Sequence, residues 1–403
     1  MADTEAPLRV RVFNTYEPGT TTYRDLIPLW TKRGWQVQVL ISRRNYREGR
    51  DRPWAVDGVK VMNTPAPGGG KAGAIIGYLL FAPLKSLFAP RVDMNLFLTQ
   101  PPLFFIWGYV LRLLRRQPYT ILLMDLYPDV AVLDGLLKSN SLLARMLTRI
   151  SRFSLCKADG VIVIGRDMAQ RVSEMGVSEA RIHLVSNWTD EHAIQPLDRG
   201  TNPFRLAHGW GDRLVLMYSG NIGISHWFDD FLELARRFSD REDLVIAVIG
   251  SGARKKEIET FIATHQLTNL VVLPFQDQDK LAESLSAGDV HFVSLREGFE
   301  GCVVPSKTYG ILAAGRPVLY QGAASGEIAR MIAESDVGVV VPQGDADALE
   351  ATVKAYLAEP ARAMEQGQRA RALAEGSYSR ATSCERFTQA IRAGVTRSSA
   401  DSR

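Results

Sequence analysis

Residues 297–319 read EGFEGCVVPSKTYGILAAGRPVL, and this stretch predicts a loop, a helix and a short strand that follow a buried strand. The apolar run at 289–293 just before it favours that first strand. Pro305 and Ser306 are typical of a helix start, because proline has no N–H to leave unpaired there and serine can cap the first free amides. The helix is expected over 308–314, and Gly315 is expected to end it.

The lysine in the first turn of this predicted helix favours a phosphate ligand. A loop with two glycines, Gly298 and Gly301, leads into a helix N-terminus, which presents unpaired N–H groups and the positive end of a helix dipole. Lys307 adds a full positive charge where the dipole alone disfavours one, and a bound anion would account for it. On this stretch alone, an ordinary strand–loop–helix unit without a ligand explains the pattern equally well.

Length and composition indicate a two-domain globular protein. The chain has 403 residues, which exceeds the size at which single cores stop growing. Its formal net charge of +4 is too small to argue for a nucleic-acid partner. Three distant cysteines fit neither a disulfide framework nor a zinc site, which favours a reducing cytosol. The polar N-terminus MADTEAPLRV is not expected to act as a signal peptide.

The order of strand and helix patterns predicts an α/β protein with two doubly wound parallel sheets. Residues 191–212 interrupt the pattern with prolines and glycines and are expected to form a linker. The predicted domains are therefore 1–190 and 213–375. Residues 376–403 are expected to form a helix that returns toward the first domain and a polar tail without order.

Four loops of the second domain predict a nucleotide-sized site. They span 219–223, 250–252, 274–277 and 298–307, and each contains glycine or precedes a helix start. The carboxyl ends of parallel strands are where such folds bind ligands, so these loops are expected to converge at a central cleft. Lys255, which follows the second of these loops, could reach a phosphate, although a solvated helix face explains it as well.

Two apolar segments, 72–90 and 94–114, favour contact with a membrane surface. The first contains Pro83 and Lys85 and the second contains Gln100, so neither gives the roughly 20 apolar residues that a spanning helix needs. Burial in the core of the domain is the alternative. Membrane contact is favoured by basic residues close to large aromatic ones in this region, namely Lys85, Arg112, Arg115 and Arg116 with Phe104, Phe105 and Trp107.

Five motifs resemble the family-4 glycosyltransferases of the GT-B fold. They are YSGNIG at 218–223, VPSK at 304–307 and ILAAGRPV at 311–318 in the second half, and DLYPDV at 125–130 and SNW at 186–188 in the first. The likeness is strongest to bacterial enzymes of capsule, O-antigen and exopolysaccharide assembly, of the N-acetylfucosaminyl transferase type. The resemblance implies two Rossmann-like domains that face a central cleft. By the resemblance, domain 1–190 binds the acceptor and carries the membrane-facing apolar helices, and domain 213–375 binds the nucleotide sugar.

The resemblance also implies a reaction and a set of binding residues. The reaction is a retaining transfer of a sugar, usually from a UDP-linked donor of the N-acetylated hexosamine type, to a lipid-linked saccharide at the cytoplasmic side of the inner membrane. Phe275 is expected beside the base, and Gly19 and Thr20 are expected to close over the phosphates. The diphosphate and sugar are expected to be held by Gly220, Asn221, Gly250, Glu300, Gly301, Val303, Ser306 and Lys307.

The sequence departs from the family pattern at three positions. Many relatives have a ribose-binding glutamate where Gly310 stands here, and the first member of that glutamate pair would fall on Cys302. Many relatives also have a histidine where Met124 stands. Asp125 is therefore the best candidate for a catalytic group beside the reacting carbon, although capping of the following helix explains it equally well. His226 follows the 219–223 loop and could approach the donor.

No metal or other cofactor is expected. The acidic pair at 277–279 is expected to cap a helix, and one carboxylate, Glu300, makes a poor metal cage near the phosphates. Two alternatives remain open at this point, a nucleotide-sugar epimerase of the same fold and a sugar-nucleotide-binding subunit without activity. The oligomeric state, the sugar and the acceptor do not follow from the sequence.

Overall fold

The computed structural model describes residues 6–15, 22–43, 56–68 and 70–401. It divides into two compact units, one formed by Met1–Ser186 with Cys384–Arg403 and the other by Asn187–Ser383. Residues 191–212, expected as a linker, lie in the second unit. Their prolines and glycines break the helix and strand periods, but Phe204 and Trp210 are buried against the strands of that unit and anchor the segment to it.

The first unit contains a seven-stranded parallel sheet of order β3-β2-β1-β4-β5-β6-β7. Its central strands are buried along their whole length, as expected for a parallel sheet covered on both faces. The strands are β1 Arg9–Phe13, β2 Gln36–Ser42, β3 Val59–Thr64, β4 Met94–Leu98, β5 Tyr119–Leu123, β6 Gly160–Val163 and β7 Ile182–Leu184. The helices before residue 187 are α1 Ile27–Lys32, which continues a π-helical turn at Thr22–Leu26, α2 Gly70–Phe88, α3 Ile106–Arg115, α4 Asp129–Leu133, α5 Leu142–Lys157 and α6 Arg166–Glu174.

The second unit contains a six-stranded parallel sheet of order β10-β9-β8-β11-β12-β13. The direction of chain progression reverses between β8 and β11, and such a switch point opens the crevice in which α/β sheets bind ligands. The strands are β8 Leu214–Ser219, β9 Leu244–Ile249, β10 Leu270–Leu273, β11 Val290–Ser294, β12 Val318–Gln321 and β13 Gly338–Val341.

Nine further α-helices lie among the described residues after 186. They are α7 Pro203–Ala207, α8 Asp229–Arg237, α9 Lys255–His265, α10 Leu281–Ala287, α11 Lys307–Ala313, α12 Glu327–Ser335, α13 Ala346–Ala358, α14 Pro360–Glu375 and α15 Arg380–Asp401, of which residues from Cys384 onward pack within the first unit. There the Trp30 indole donates a hydrogen bond to the Thr388 hydroxyl at 2.9 Å.

Helix α2 is held on the sheet by two arginines at its C-terminal end. The Arg11 guanidinium, fully buried on β1, donates to the carbonyls of Ser86 and Pro90. Arg115 on α3 donates to the carbonyls of Leu87 and Ala89. These donors satisfy carbonyls that a helix end leaves unpaired and place positive charge at the negative end of its dipole. The helix is therefore fixed in place.

The membrane-contact prediction was wrong about Phe104 and Phe105. Both rings are buried, and the Phe104 ring packs against Phe13, Phe97 and Tyr78 in the core of the first unit. The sequence shows only that these residues are apolar, whereas the fold decides which apolar face meets the sheet. Trp107 is partly buried and donates to the Ser86 hydroxyl at 2.8 Å.

Candidate functional site

The loops after β8 and β9 touch each other through glycines at the switch point of the second sheet. Gly250 has a φ of 150°, and a Cβ there would lie 1.9 Å from the carbonyl oxygen of Gly220. Only glycine permits both this conformation and this approach. The same Cβ position is 3.5 Å from the Phe275 ring, which is 55% exposed after β10. An exposed ring beside two glycine loops is a platform on which a base can stack.

Lys307 brings a positive charge to this point from the other side of the crevice. It is the first residue of α11, and its ammonium donates to the Tyr218 hydroxyl and lies 3.4 Å from Nε2 of His226. A Cβ at Gly220 would lie 3.3 Å from Nζ. Among the described residues, no carboxylate lies within ion-pairing distance of this ammonium. The Lys307 residue is partly accessible, but the protein around its side chain removes water from the ammonium. This desolvation lowers the pKa of Lys307 well below its usual value.

Tyr218 is a residue of this site that the sequence did not single out as a binding group, and His226 was expected only as a residue that could approach the donor. His226 Nδ1 lies 2.5 Å from the carbonyl oxygen of Ser294, the last residue of β11. Burial, followed by the charge of Lys307, lowers the pKa of His226 to about 3, so its ring is neutral at pH 7. The only sequence signal for His226 was its position just after the 219–223 loop, and nothing pointed to Tyr218 beyond its place in a motif.

The helix start differs from its prediction in two ways. Helix α11 begins at Lys307 and ends at Ala313, one residue earlier at each end than expected. Ser306 is exposed and makes no side-chain cap, because its backbone is already helical, with φ −64° and ψ −21°, whereas capping residues adopt extended angles. A seven-residue helix carries a modest dipole, so the positive field here is that of the Lys307 charge.

The loop before α11 places a carboxylate with an unused acceptor. Glu300 Oε2 accepts from the Gly298 amide at 2.8 Å, whereas Oε1 is buried and has no hydrogen-bond partner within the described part of the chain. A buried acceptor without a donor costs free energy, which a hydroxyl donor of a ligand would recover. Gly301, with φ 70°, makes the turn, and Val303 is partly buried beside it. Cys302 is fully buried.

Asn221 lies next to the Gly220–Gly250–Phe275–Lys307 cluster, whereas Lys255 forms an ion pair on the surface of its own helix. Lys255 begins α9 and lies 3.4 Å from the Glu259 carboxylate, as in an ordinary helix-surface pair. Asn221 is exposed in the loop after β8, and its carbonyl accepts from the Tyr218 hydroxyl. The neighbouring Arg254 reaches further in than Lys255, because it donates to the His226 carbonyl at 2.9 Å.

Asp125 follows β5 in the first unit and does not cap a helix. The next helix, α4, begins at Asp129, and no side chain caps it. Asp125 is partly exposed, and its carboxylate has no hydrogen-bond or ion-pair partner among the described residues. Burial, followed by the charge of Asp134, raises the pKa of Asp125 to about 6. Asp129 forms an ion pair with Arg171 at 2.5 Å.

The other predicted site residues add little to this geometry. Gly19 and Thr20 lie outside the described residues. At Gly310 a Cβ would lie 3.4 Å from the Leu285 side chain. Glycine has no side chain, so this position cannot contact a ribose as the glutamate of many relatives is expected to do. Asp277 precedes a short 3₁₀ turn and does not cap it through its side chain. Within the described ranges, no group of three or more histidine, cysteine, aspartate or glutamate residues could hold a metal ion.

Three helices of the first unit expose an apolar surface with basic residues. Helix α2 packs against α3, and α3 packs against α5. None of the three contains an aspartate or glutamate. The exposed apolar side chains are Ile76, Leu79, Leu80, Leu84, Phe88, Leu113, Leu114, Leu142, Leu143, Met146 and Phe153. The basic residues on the same helices include Lys85, Arg112, Arg115, Arg145, Arg149, Arg152 and Lys157, and we call this set of residues the apolar–basic face.

Among the described residues, carboxylates compensate little of the positive charge of this face. Arg112 pairs with Asp159 at 2.6 Å, and Lys85 donates to the Asn63 carbonyl at 2.7 Å. A groove of about 670 Å³ lies between β3 and the C-terminal half of α2, with Lys60, Lys85, Leu84 and Phe88 in its lining. In the described part of the chain, no helix is both long enough and apolar enough to cross a membrane.

Comparisons with known proteins identify both units. Residues 19–188 match the glycosyl transferase 4-like domain, and residues 202–373 match the glycosyl transferases group 1 family. The chain is 29% identical over 316 residues, 78% of each chain, to the probable glycosyltransferase WbjE of Pseudomonas aeruginosa. It is 29% identical over 220 residues, 54% of each chain, to the putative colanic acid biosynthesis glycosyl transferase WcaI of Escherichia coli K12.

A solved structure supports the same fold. The crystal structure of Anabaena Alr3699/HepE in complex with UDP superposes with a TM-score of 0.70 at 12% identity, covering 95% of this chain and 99% of that one. At this identity the likeness shows the fold alone. The predicted GT-B fold of two Rossmann-like α/β domains is thereby confirmed.

Proposed function

The chain belongs to the group 1 glycosyltransferases, and we propose that it transfers a sugar from a nucleoside diphosphate sugar to a lipid-linked saccharide. The donor is of the UDP type, with an N-acetylated hexosamine such as N-acetylfucosamine, and the product is a bacterial surface polysaccharide. The relatives WbjE and WcaI are both named as glycosyltransferases, and WcaI is named for colanic acid biosynthesis, which supports this assignment. The HepE crystal structure is a complex with UDP, which supports the choice of nucleotide.

The Gly220–Gly250–Phe275–Lys307 cluster is the observation that carries the proposal. A leaving nucleoside diphosphate gains negative charge as its bond to the sugar breaks, and a fixed positive group stabilises that charge most in the transition state. Lys307 supplies this group, and no carboxylate of the described residues neutralises it. The two glycines allow backbone to lie close to phosphate oxygens, and the exposed Phe275 ring offers a face to the base.

The proposed reaction retains the configuration of the transferred sugar. The bond between the anomeric carbon and the diphosphate oxygen breaks while the acceptor hydroxyl oxygen bonds to that carbon from the same side. The acceptor proton passes to the departing diphosphate. Asp125, with an unpaired carboxylate beyond β5, is proposed to orient the acceptor hydroxyl or to offset positive charge on the sugar. Glu300 Oε1 is proposed to accept from a sugar hydroxyl, which would satisfy this buried oxygen.

An experiment on donors and acceptors tests this function. The purified protein is incubated with single nucleotide sugars and a polyprenyl-diphosphate-linked saccharide, and the product is examined by mass spectrometry and for anomeric configuration by NMR. We expect one UDP-sugar to give an extended lipid-linked product with retention. An isomerised donor formed without acceptor would instead show an epimerase. Binding of donors with no transfer to any acceptor in the panel would contradict the proposed activity.

The acceptor is proposed to be reached at an anionic membrane surface through the apolar–basic face. The face carries leucines that are largely exposed, such as Leu80 at 64%, on a helix that Arg11 and Arg115 fix to the sheet. Burial of each such side chain in the lipid interface contributes up to about 1.5–3 kcal/mol. Each basic residue near anionic headgroups adds about 1 kcal/mol. This arrangement fits a peripheral location on the cytoplasmic side of the inner membrane.

Vesicle sedimentation tests the membrane contact separately from catalysis. We expect the protein to sediment with vesicles that contain phosphatidylglycerol, and to be released by raised salt, because salt screens the basic contacts. Leu80→Gln with Leu84→Gln is expected to weaken sedimentation. Leu206→Gln is the matched control, because Leu206 is 63% exposed in the second unit and lies outside this face. Equal loss in both variants, or no sedimentation of the unchanged protein, would contradict the contact.

A further inference from the structure

The Lys307 ammonium is held by two neutral side chains that come from distant parts of the chain. Tyr218 lies in β8 and His226 in the loop that follows, whereas Lys307 begins α11 after β11. The ammonium lies 3.7 Å from the centre of the Tyr218 ring. Its two polar contacts are the Tyr218 hydroxyl and Nε2 of His226. Neither partner carries the negative charge that would neutralise a lysine.

The hydrogen bonds of His226 show that it accepts from Lys307. Its Nδ1 faces the carbonyl oxygen of Ser294 at 2.5 Å, and a carbonyl oxygen can only accept, so Nδ1 carries the ring hydrogen. The lone pair of Nε2 is therefore directed at Lys307. The Trp227 amide also donates to the Ser294 hydroxyl, at 3.1 Å, which fixes the loop to the end of β11. The imidazole is thus held in one tautomer and one orientation.

The hydrogen bonds of Tyr218 lead to the same result. Its hydroxyl donates to the Asn221 carbonyl, so the oxygen is left to accept from Lys307. Burial raises the pKa of Tyr218 far above its usual value, so the hydroxyl keeps its proton. An ammonium has three N–H groups, and two of them are directed at Tyr218 and His226. The third is left for a ligand. The lysine side chain packs closely against Gly220, where a Cβ would lie only 3.0 Å from Cε of Lys307.

We propose that Tyr218 and His226 are positioning residues for donor binding, which aim the Lys307 ammonium at the donor's diphosphate without neutralising it. This inference rests on the proposed function, which supplies the diphosphate. A carboxylate partner would hold the lysine equally well but would compete with the anion for its charge. Two neutral acceptors avoid that competition, and no carboxylate of the described residues competes with the incoming phosphate for the charge of the ammonium.

The surroundings determine how this arrangement responds to pH. A charged group, Arg254, contacts His226: it donates to the His226 carbonyl and is paired with Asp229 at 2.8 Å and with Glu257. Protein around Lys307 disfavours its charged form, whereas a bound diphosphate favours it. UDP affinity should therefore fall as pH rises through the pKa of Lys307. Loss of one acceptor should lower that pKa further and move the fall in affinity to lower pH.

A double-mutant cycle with UDP as the probe tests the inference. Tyr218→Phe keeps the ring and removes the acceptor oxygen, and we expect it to weaken UDP binding about three- to tenfold, as for the loss of one hydrogen bond. In the Lys307→Met background the same change should have no effect, because Tyr218 acts through Lys307. Titration calorimetry over a series of pH values should also show the fall in affinity at lower pH for Tyr218→Phe than for the unchanged protein.

A second pair of variants keeps the test valid if Tyr218→Phe does not fold. His226→Gln retains a hydrogen-bond acceptor and should keep most of the UDP affinity. His226→Leu removes the acceptor and should weaken UDP binding. Tyr356→Phe is the control, because its hydroxyl is equally buried but donates to Gln366. Equal weakening by Tyr218→Phe with and without Lys307, or an unchanged pH profile, would overturn the inference. Failure of the unchanged protein to bind UDP would instead overturn the proposed function as well.

Discussion

Replacement of Lys307 by methionine separates its role in binding from its role in folding. Methionine is similar in length and apolar, so the variant removes the charge and keeps most of the volume. A charge-assisted hydrogen bond contributes about 1.5–3 kcal/mol, which corresponds to roughly a 10- to 100-fold loss of UDP affinity. We expect a loss of this size, because no second basic side chain of the described residues donates to the Tyr218 hydroxyl or to the His226 ring, Arg254 being bonded to the His226 backbone carbonyl.

The stability of the free protein should change little in the same variant. Removal of the ammonium leaves Nε2 of His226 without its donor, which costs free energy, but it also removes the cost of a partly buried charge with no carboxylate partner. The pKa of Lys307 is lowered in the folded protein, so folding disfavours its charged form at pH values below the unfolded pKa of about 10.4. Any stability gained on replacement should therefore be largest near neutral pH and shrink toward pH 10.

Lys255→Met is the matched control for this experiment. Lys255 also begins a helix, α9, but its ammonium lies 3.4 Å from Glu259 on the surface. Titration calorimetry with UDP at fixed salt measures affinity, and chemical denaturation at pH 7 and pH 10 measures stability. We expect Lys255→Met to match the unchanged protein in both. Unchanged UDP affinity in Lys307→Met, or equal losses in the two variants, would refute the assignment of Lys307 to the phosphates.

Three further predictions concern the carboxylate beyond β5, the glycine contact and metal ions. Because the pKa of Asp125 is about 6, turnover should rise as the pH rises through that value. Asp125→Asn should lower turnover at least about 100-fold and leave UDP affinity unchanged. Near-normal turnover of this variant would show that Asp125 takes no part in the reaction. Gly250→Ala should lower the melting temperature more than Gly135→Ala and should abolish UDP binding. Both glycines have a positive φ, at which a residue with a side chain costs about 1–2 kcal/mol. Only at Gly250 would the added Cβ also collide with backbone, namely the Gly220 carbonyl. Equal losses of melting temperature in the two variants would contradict that contact. Transferase activity should survive treatment with EDTA. If EDTA abolishes the activity and Mn²⁺ or Mg²⁺ specifically restores it, a metal ion offsets the diphosphate charge.

The fold and the loops of the site could be predicted from the sequence because both leave local patterns. Buried parallel strands such as β9 are short apolar runs, and the glycines at 220 and 250 stand immediately after such runs. Since the carboxyl ends of parallel strands lie at one edge of a sheet, the convergence of these loops follows from strand order alone. The same local signals placed Phe275 and Lys307 at this edge.

Contacts between distant residues could not be predicted in this way. Lys307 meets Tyr218 and His226 across 89 and 81 positions of sequence, and no periodicity of the chain encodes that pairing. Lys307 and Lys255 are alike in sequence, each at the start of a helix after a glycine loop. Only the packing decides that one lies among neutral acceptors and the other beside Glu259.

The apolar segments of the first unit show the same division. Composition alone established that residues 72–116 are apolar and basic, but it could not say which side chains face the sheet. The fold buries Phe104 and Phe105 and exposes Leu80 and Phe88. It also brings α5 beside α3, which extends the apolar–basic face to residues outside the predicted range. The sequence determines the local periods and turns, whereas burial, ion pairing and the set of neighbours depend on which surfaces meet, and only the tertiary structure decides that.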